Sequence, residues 1–101
     1  MDEQKEMTQV EEEKILKGAF LSLVPLKLKQ LPPKEKKKLV VLRKIAEQLD
    51  QERKYSEPEI NELLLAIYTD YVTLRRGLIE YGFVDRTRDG KEYWVHRQQD
   101  A

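Results

Sequence analysis

Three observations predict the fold class of this chain. Apolar residues recur at helical spacing in successive segments, the stretch YSEPEI at 55–60 carries the signals of a helix start, and two short runs rich in aromatic and β-branched residues flank Asp89-Gly90. Helical periodicity marks a buried stripe, and alternation beside a turn dipeptide marks a hairpin. The resulting order is helix, helix, helix and ribbon, preceded by one more helix. It predicts an α+β fold, mainly α: a winged helix-turn-helix with an extra N-terminal helix and a C-terminal two-stranded β-ribbon.

Residues 1–8 (MDEQKEMT) are polar and without period, so a disordered acidic tail is expected there. From Gln9 to Leu23 the residues Val10, Leu16, Ala19, Phe20 and Leu23 suit an amphipathic first helix, which Pro25 should end. VPLKLKQLPP at 24–33 alternates leucine with lysine, the pattern of an extended strap with leucines on the core and lysines in water. Pro32 and Pro33 prepare a helix start, because a first turn has no partner for the N–H that proline lacks. The second helix is expected from Lys34 to Leu49, burying Leu39, Leu42, Ile45, Ala46 and Leu49. Residues 9–33 are thus the N-terminal helix and strap, 34–97 the winged-helix domain, and 98–101 a second disordered tail.

YSEPEI reads as a capping box. Ser56 accepts from the amide of Glu59, the Glu59 carboxylate accepts from that of Ser56, and Pro58 sits in the first turn. Tyr55 and Ile60 occupy the two positions of a hydrophobic staple. The helix should bury Ile60, Leu63, Leu64 and Ile67 and end near Tyr68. Thr69 and Asp70 then cap a further helix after a tight turn. Its buried side is expected to hold Tyr71, Leu74, Leu78 and Tyr81, with Gly82 in the left-handed position after it. Phe83–Thr87 and Glu92–His96 form the ribbon, and Gly90 is free to take positive φ in its turn.

A chain of 101 residues makes one domain. It has no cysteine, which excludes disulfides, thiolate metal sites and cysteine nucleophiles. Its apolar runs, such as LVVL at 39–42, fall far short of the roughly 20 residues that cross a bilayer. The acidic amino terminus is unlike a secretory leader, so cytoplasmic residence without membrane contact is expected. Net charge is zero but uneven: minus five over 1–13, plus eight over 14–54 and minus three over 55–101. That balance speaks against a broadly basic nucleic-acid binder while leaving room for one basic face.

Three stretches carry a family resemblance. Tyr55, Ser56, Glu57, Glu59, Ile60 and Asn61 fit a Y-[ST]-E-x-E-[VI]-N motif. Leu74, Arg75, Arg76, Leu78, Ile79, Tyr81 and Gly82 fit L-R-R-x-L-[VI]-x-[YF]-G, and Asp89, Gly90, Tyr93 and Trp94 fit D-G-x-x-Y-W. Over roughly residues 15–96 the chain resembles the bacterial family called domain of unknown function 2087. The resemblance implies a winged-helix transcriptional regulator, by fold and by fusion to other regulator domains. Gly77 departs from the family pattern, where a bulkier or charged residue is usual, and it should weaken its helix by about 1 kcal/mol relative to alanine.

Catalytic chemistry is not announced. His96 is the only histidine, the four glycines are scattered rather than forming a phosphate loop, and Ser22 and Ser56 stand in no nucleophile motif. No enzyme, metal or cofactor is expected. The expected partner is double-stranded DNA, bound by a homodimer that meets through the first helix and strap. In a helix-turn-helix the second helix of the motif enters the major groove. Thr69 or Tyr71, then Thr73, Arg75 and Arg76 would face base edges there, while Arg86, Arg88 and Lys91 of the ribbon turn and Lys34, Lys36, Lys37 and Lys38 would face phosphates.

Each assignment has a plainer counterpart. Arg75 and Arg76 would pair with Glu59, Glu62 or Asp85, Asp70 and Glu80 would repel phosphate, and the lysines would form a solvated face. Of Tyr93 and Trp94 one should cover the core, and Asn61 is either a surface residue or a link to the neighbouring turn. The alternative function is a protein-interaction winged helix without DNA binding.

Overall fold

A computed structural model describes residues 8–97. It is an α+β fold of four helices and two small antiparallel sheets around one core. Most of the tails expected at 1–8 and 98–101 lie outside the described residues. Thr8 is described, and it caps α1 (Gln9–Ala19): its hydroxyl accepts from the Glu11 amide at 3.1 Å, and its own amide donates to Glu11 Oε1 at 3.0 Å.

The helix expected to reach Leu23 stops at Ala19. Phe20 takes extended backbone, and β1 (Phe20–Leu23) pairs antiparallel with β2 (Leu26–Leu28). What looked like a helix end and an extended strap is therefore a hairpin turning at Val24-Pro25, a cis peptide. It folds this way because a hairpin buries Phe20, Leu26 and Leu28 together while Lys27 and Lys29 stay in water. Lys27 Nζ also donates to the Ala66 carbonyl at 2.7 Å, tying the hairpin to the end of the third helix.

α2 (Glu35–Ala46) buries Val40, Val41, Leu42, Ile45 and Ala46, and Leu49 is buried in the turns that follow. Leu39, expected inside, is only half-buried. β3 (Tyr55–Ser56) leads into α3 (Glu57–Ile67), whose start is the capping box expected: Ser56 Oγ accepts from Glu59 N at 3.2 Å, and Glu59 Oε1 accepts from Ser56 N at 2.8 Å. The staple residues Tyr55 and Ile60 are both buried. Leu63 is not, being 41 % exposed, because the buried stripe narrows to Ile60, Leu64 and Ile67.

Asp70 caps α4 (Tyr71–Glu80), which packs on α3 and α2 through Leu74, Gly77 and Leu78. Tyr71 and Tyr81 lie at the edge of that contact, half-buried. The helix ends on Gly82 at φ 81°, where Phe83 N donates to Leu78 O at 2.8 Å and Gly82 N to Ile79 O at 3.1 Å, the paired bonds of a Schellman closure. β4 (Val84–Arg86) and β5 (Glu92–Val95) follow.

The ribbon has a third strand that the sequence did not announce. β3 pairs with β5, Tyr55 opposite Tyr93, so the sheet runs β3-β5-β4. Two residues are too short to show alternation, and their pairing is decided by a strand 36 or more residues later in the chain. The consequence is mechanical: the start of α3 is fixed to the ribbon, and the ribbon to the core through Val84, Tyr93 and Val95.

Candidate nucleic-acid interface

The proposed base-facing residues sit on α4, and packing divides them. Leu74, Gly77 and Leu78 face the core, so Thr73, Arg76 and Glu80 look outward and are exposed, while Arg75 points to one side. Thr73 is engaged with the cap: its hydroxyl donates to Asp70 Oδ2 at 2.7 Å and its amide to Asp70 Oδ1 at 3.3 Å. Asp70 is thereby turned to its own helix, where its charge offsets the amino-terminal dipole. Thr69 precedes the cap outside the helix.

Arg75 is turned inward, with its side chain 18 % exposed. Its guanidinium donates to Asn61 Oδ1 of α3, lies 3.5 Å from the Glu57 carboxylate and stands 5.9 Å from the centre of the Tyr93 ring. Asn61 is therefore the link between α3 and α4. The paired state of Arg75 matches the plainer expectation, but its partner is Glu57 rather than Glu59, Glu62 or Asp85. Glu57 and Arg75 are brought together by the angle between two helices, which spacing along the chain does not encode. Arg76 has no ion pair or hydrogen bond among the described residues.

At the ribbon turn Arg86 folds back, its Nη1 3.3 Å from the Thr87 carbonyl and 3.5 Å from that of Arg88. Arg88 and Lys91 are exposed. Asp89 is held below the ordinary carboxylate value, first by the Thr87 hydroxyl at 2.7 Å and then by the Lys91 amide at 3.1 Å, so it stays ionised and organises the turn. From Arg86 to Glu92 three cations face two carboxylates, Asp89 and Glu92, so the tip carries a net charge of plus one. Tyr93 is buried beneath it. Trp94 is half-buried, with Lys54 Nζ 5.5 Å from its ring. His96 bonds Asp85 Oδ2 at 2.7 Å, across the β4–β5 pair.

The lysine run divides as well. Lys38 stands 5.9 Å from the Tyr81 ring, toward the end of α4. Lys34, Lys36 and Lys37 instead line a groove shared with α1, which periodicity within one helix could not have shown. Among the described residues there is no group of three or more His, Asp or Glu placed to hold a metal, and no helix long and apolar enough to cross a membrane.

A family model described as an uncharacterized protein conserved in bacteria, domain of unknown function 2087, matches residues 27–95, more than half of the chain. The chain belongs to this family. The match begins within the β1–β2 hairpin, so α1 and β1 lie outside what the DUF2087 model covers. All three motif stretches fall within it, and they meet in space: Asn61 and Glu57 of the first hold Arg75 of the second over Tyr93 of the third. In this DUF2087 chain those motif residues build the joint between α3, α4 and the sheet. No curated protein and no solved structure matches the chain.

Proposed function

We propose that this DUF2087 chain is a winged-helix module that binds double-stranded DNA and acts in transcriptional control as a dimer. The supporting observation is the placement of free cations on one architecture. Three helices, α2 to α4, are followed by a ribbon whose turn bears Arg88 and Lys91, while α4 presents Arg76 outward. The strand order β3-β5-β4 suits the same reading, because a winged helix joins a short strand before its second helix to the ribbon.

In this reading Arg76 reaches the major groove, and Arg88 with Lys91 meets the backbone. Arg75 positions α4 and does not read bases. With Glu80 exposed on the same face and few cations engaged, affinity is low and dependent on salt; about two phosphate contacts give a logarithmic salt slope near −2. Fluorescence anisotropy with a random duplex at low salt tests it. The expectation is measurable binding that weakens with Arg88→Ala and with Arg76→Ala. Absence of binding at low salt, or binding indifferent to both substitutions, overturns the reading.

A second reading has an observation of its own. Leu21 is 71 % exposed, Val24 91 % and Leu65 50 %, an unusual display of apolar side chains around the hairpin and α3. Such a surface suits a protein partner and a winged helix without DNA contact. A duplex titration that fails at low salt favours it, whereas self-association lost on Leu21→Ser and Val24→Ser is expected of the dimer in either reading.

A further inference from the structure

A groove of about 680 Å³ runs between α1, the segment 29–34 and the first turn of α2. Its apolar lining comes from Ile15, Ala19, Pro32 and Pro33. Five lysines converge on it from three separate parts of the chain: Lys14 of α1, Lys29 of the connecting segment, and Lys34, Lys36 and Lys37 at the start of α2. Glu11 is the one carboxylate in the lining, and its oxygen is already engaged by the Thr8 amide.

We propose that this groove binds a small amphipathic anion, with an apolar body on Ile15, Ala19 and the two prolines and a carboxylate or phosphate head among the lysines. Three arguments carry the assignment. First, none of the five lysines forms an ion pair among the described residues, and the one carboxylate among them, Glu11, is held below its ordinary value first by the Thr8 amide and then by the charges of Lys36 and Lys14, leaving four positive charges in excess. Five like charges around one concavity raise a positive potential there, which favours an anion. Second, the groove falls within the size of small-ligand sites, roughly 300–1,000 Å³. Third, the lining is part apolar, which a bare phosphate or a duplex backbone would leave uncovered. The inference stands apart from DNA binding, since Arg76, Arg88 and Lys91 take no part in it.

The test is a titration of the ¹⁵N-labelled full chain, followed by NMR, with three probes: 8-anilinonaphthalene-1-sulfonate, decanoate and inorganic phosphate. The two amphipaths are expected to saturate with shifts at Ile15, Gly18, Ala19 and Gln30, and phosphate to bind at least about tenfold more weakly. Gly18 lines the groove and a Cβ there meets nothing within 4 Å, so Gly18→Leu adds apolar bulk to the groove wall. It should weaken both amphipaths about tenfold, as should the pair Lys34→Gln and Lys37→Gln. The proposal is overturned by shifts confined to Leu21–Val24, by no saturation, by phosphate binding as tightly as the amphipaths, or by affinity unchanged in both variants.

Discussion

Arg75 of α4 donates to the side-chain oxygen of Asn61 on α3, and this bond spans the junction of the two helices. It gives the first prediction. Arg75→Ala removes a charge-assisted bond at a largely covered site and should cost about 2 kcal/mol in urea denaturation. Arg76→Ala, at an exposed position, should stay within about 0.5 kcal/mol of the parent. A double-mutant cycle of Arg75→Ala with Asn61→Ala should show clear coupling. If the two substitutions are additive, the bond does not join the helices.

The α3 capping box predicts a second loss. Ser56→Ala leaves the Glu59 amide without its acceptor and should cost about 1 kcal/mol. Ser56→Thr keeps the acceptor and should recover most of it.

The same box predicts a dependence on pH. The Ser56 amide, and after it the charge of Arg53, holds the Glu59 carboxyl below its ordinary value. A carboxylate with a depressed folded-state pKa contributes stability that is fully present above its unfolded value and lost as pH falls through the folded one. The chain should therefore lose stability as acid is taken below the usual carboxylate range, and Glu59→Gln should flatten that part of the profile. Thermal melts across pH 2–6 measure it, roughly bracketing the ordinary glutamate value. An unchanged profile in the variant would remove Glu59 from the explanation.

Gly77 yields a prediction opposite in sign to the one helix propensity makes. A Cβ at Gly77 would stand 3.2 Å from Leu42 Cδ1 and 3.4 Å from its Cδ2, and Leu42 is fully buried. Crowding at a packed site costs about 1–3 kcal/mol, which outweighs the gain from replacing glycine in a helix. Gly77→Ala should lower the midpoint of unfolding, and Leu42→Val in the same chain should restore part of the loss. A Gly77→Ala chain more stable than its parent would mean that the Leu42 side chain yields the small shift the new methyl needs.

At the ribbon turn, Thr87 receives the amides of Lys91 and Glu92 on its hydroxyl, each at 3.1 Å, and donates that hydroxyl to Asp89. Thr87→Val should loosen the turn, seen as faster amide exchange at Lys91 and Glu92. If duplex binding occurs through Arg88 and Lys91, it should weaken in the same variant although neither cation is changed.

The sequence by itself determined whatever is specified locally. The α3 capping box, the staple of Tyr55 on Ile60, the stop at Gly82 and the turn at Gly90 each depend on neighbours within a few residues, so motif and structure agree there. Tertiary structure decided what local signals leave degenerate. Phe20 and Leu23 suit a helix stripe and a strand equally, and pairing with Leu26–Leu28 selected the strand. Tyr55–Ser56 became an edge strand only because Tyr93 came to lie beside it. The same holds for the cations: Arg75 and Arg76 are adjacent in sequence, yet a helix turns one toward Asn61 and Glu57 and the other into water. Which charges are free is a property of packed neighbours, and those neighbours come from distant parts of the chain.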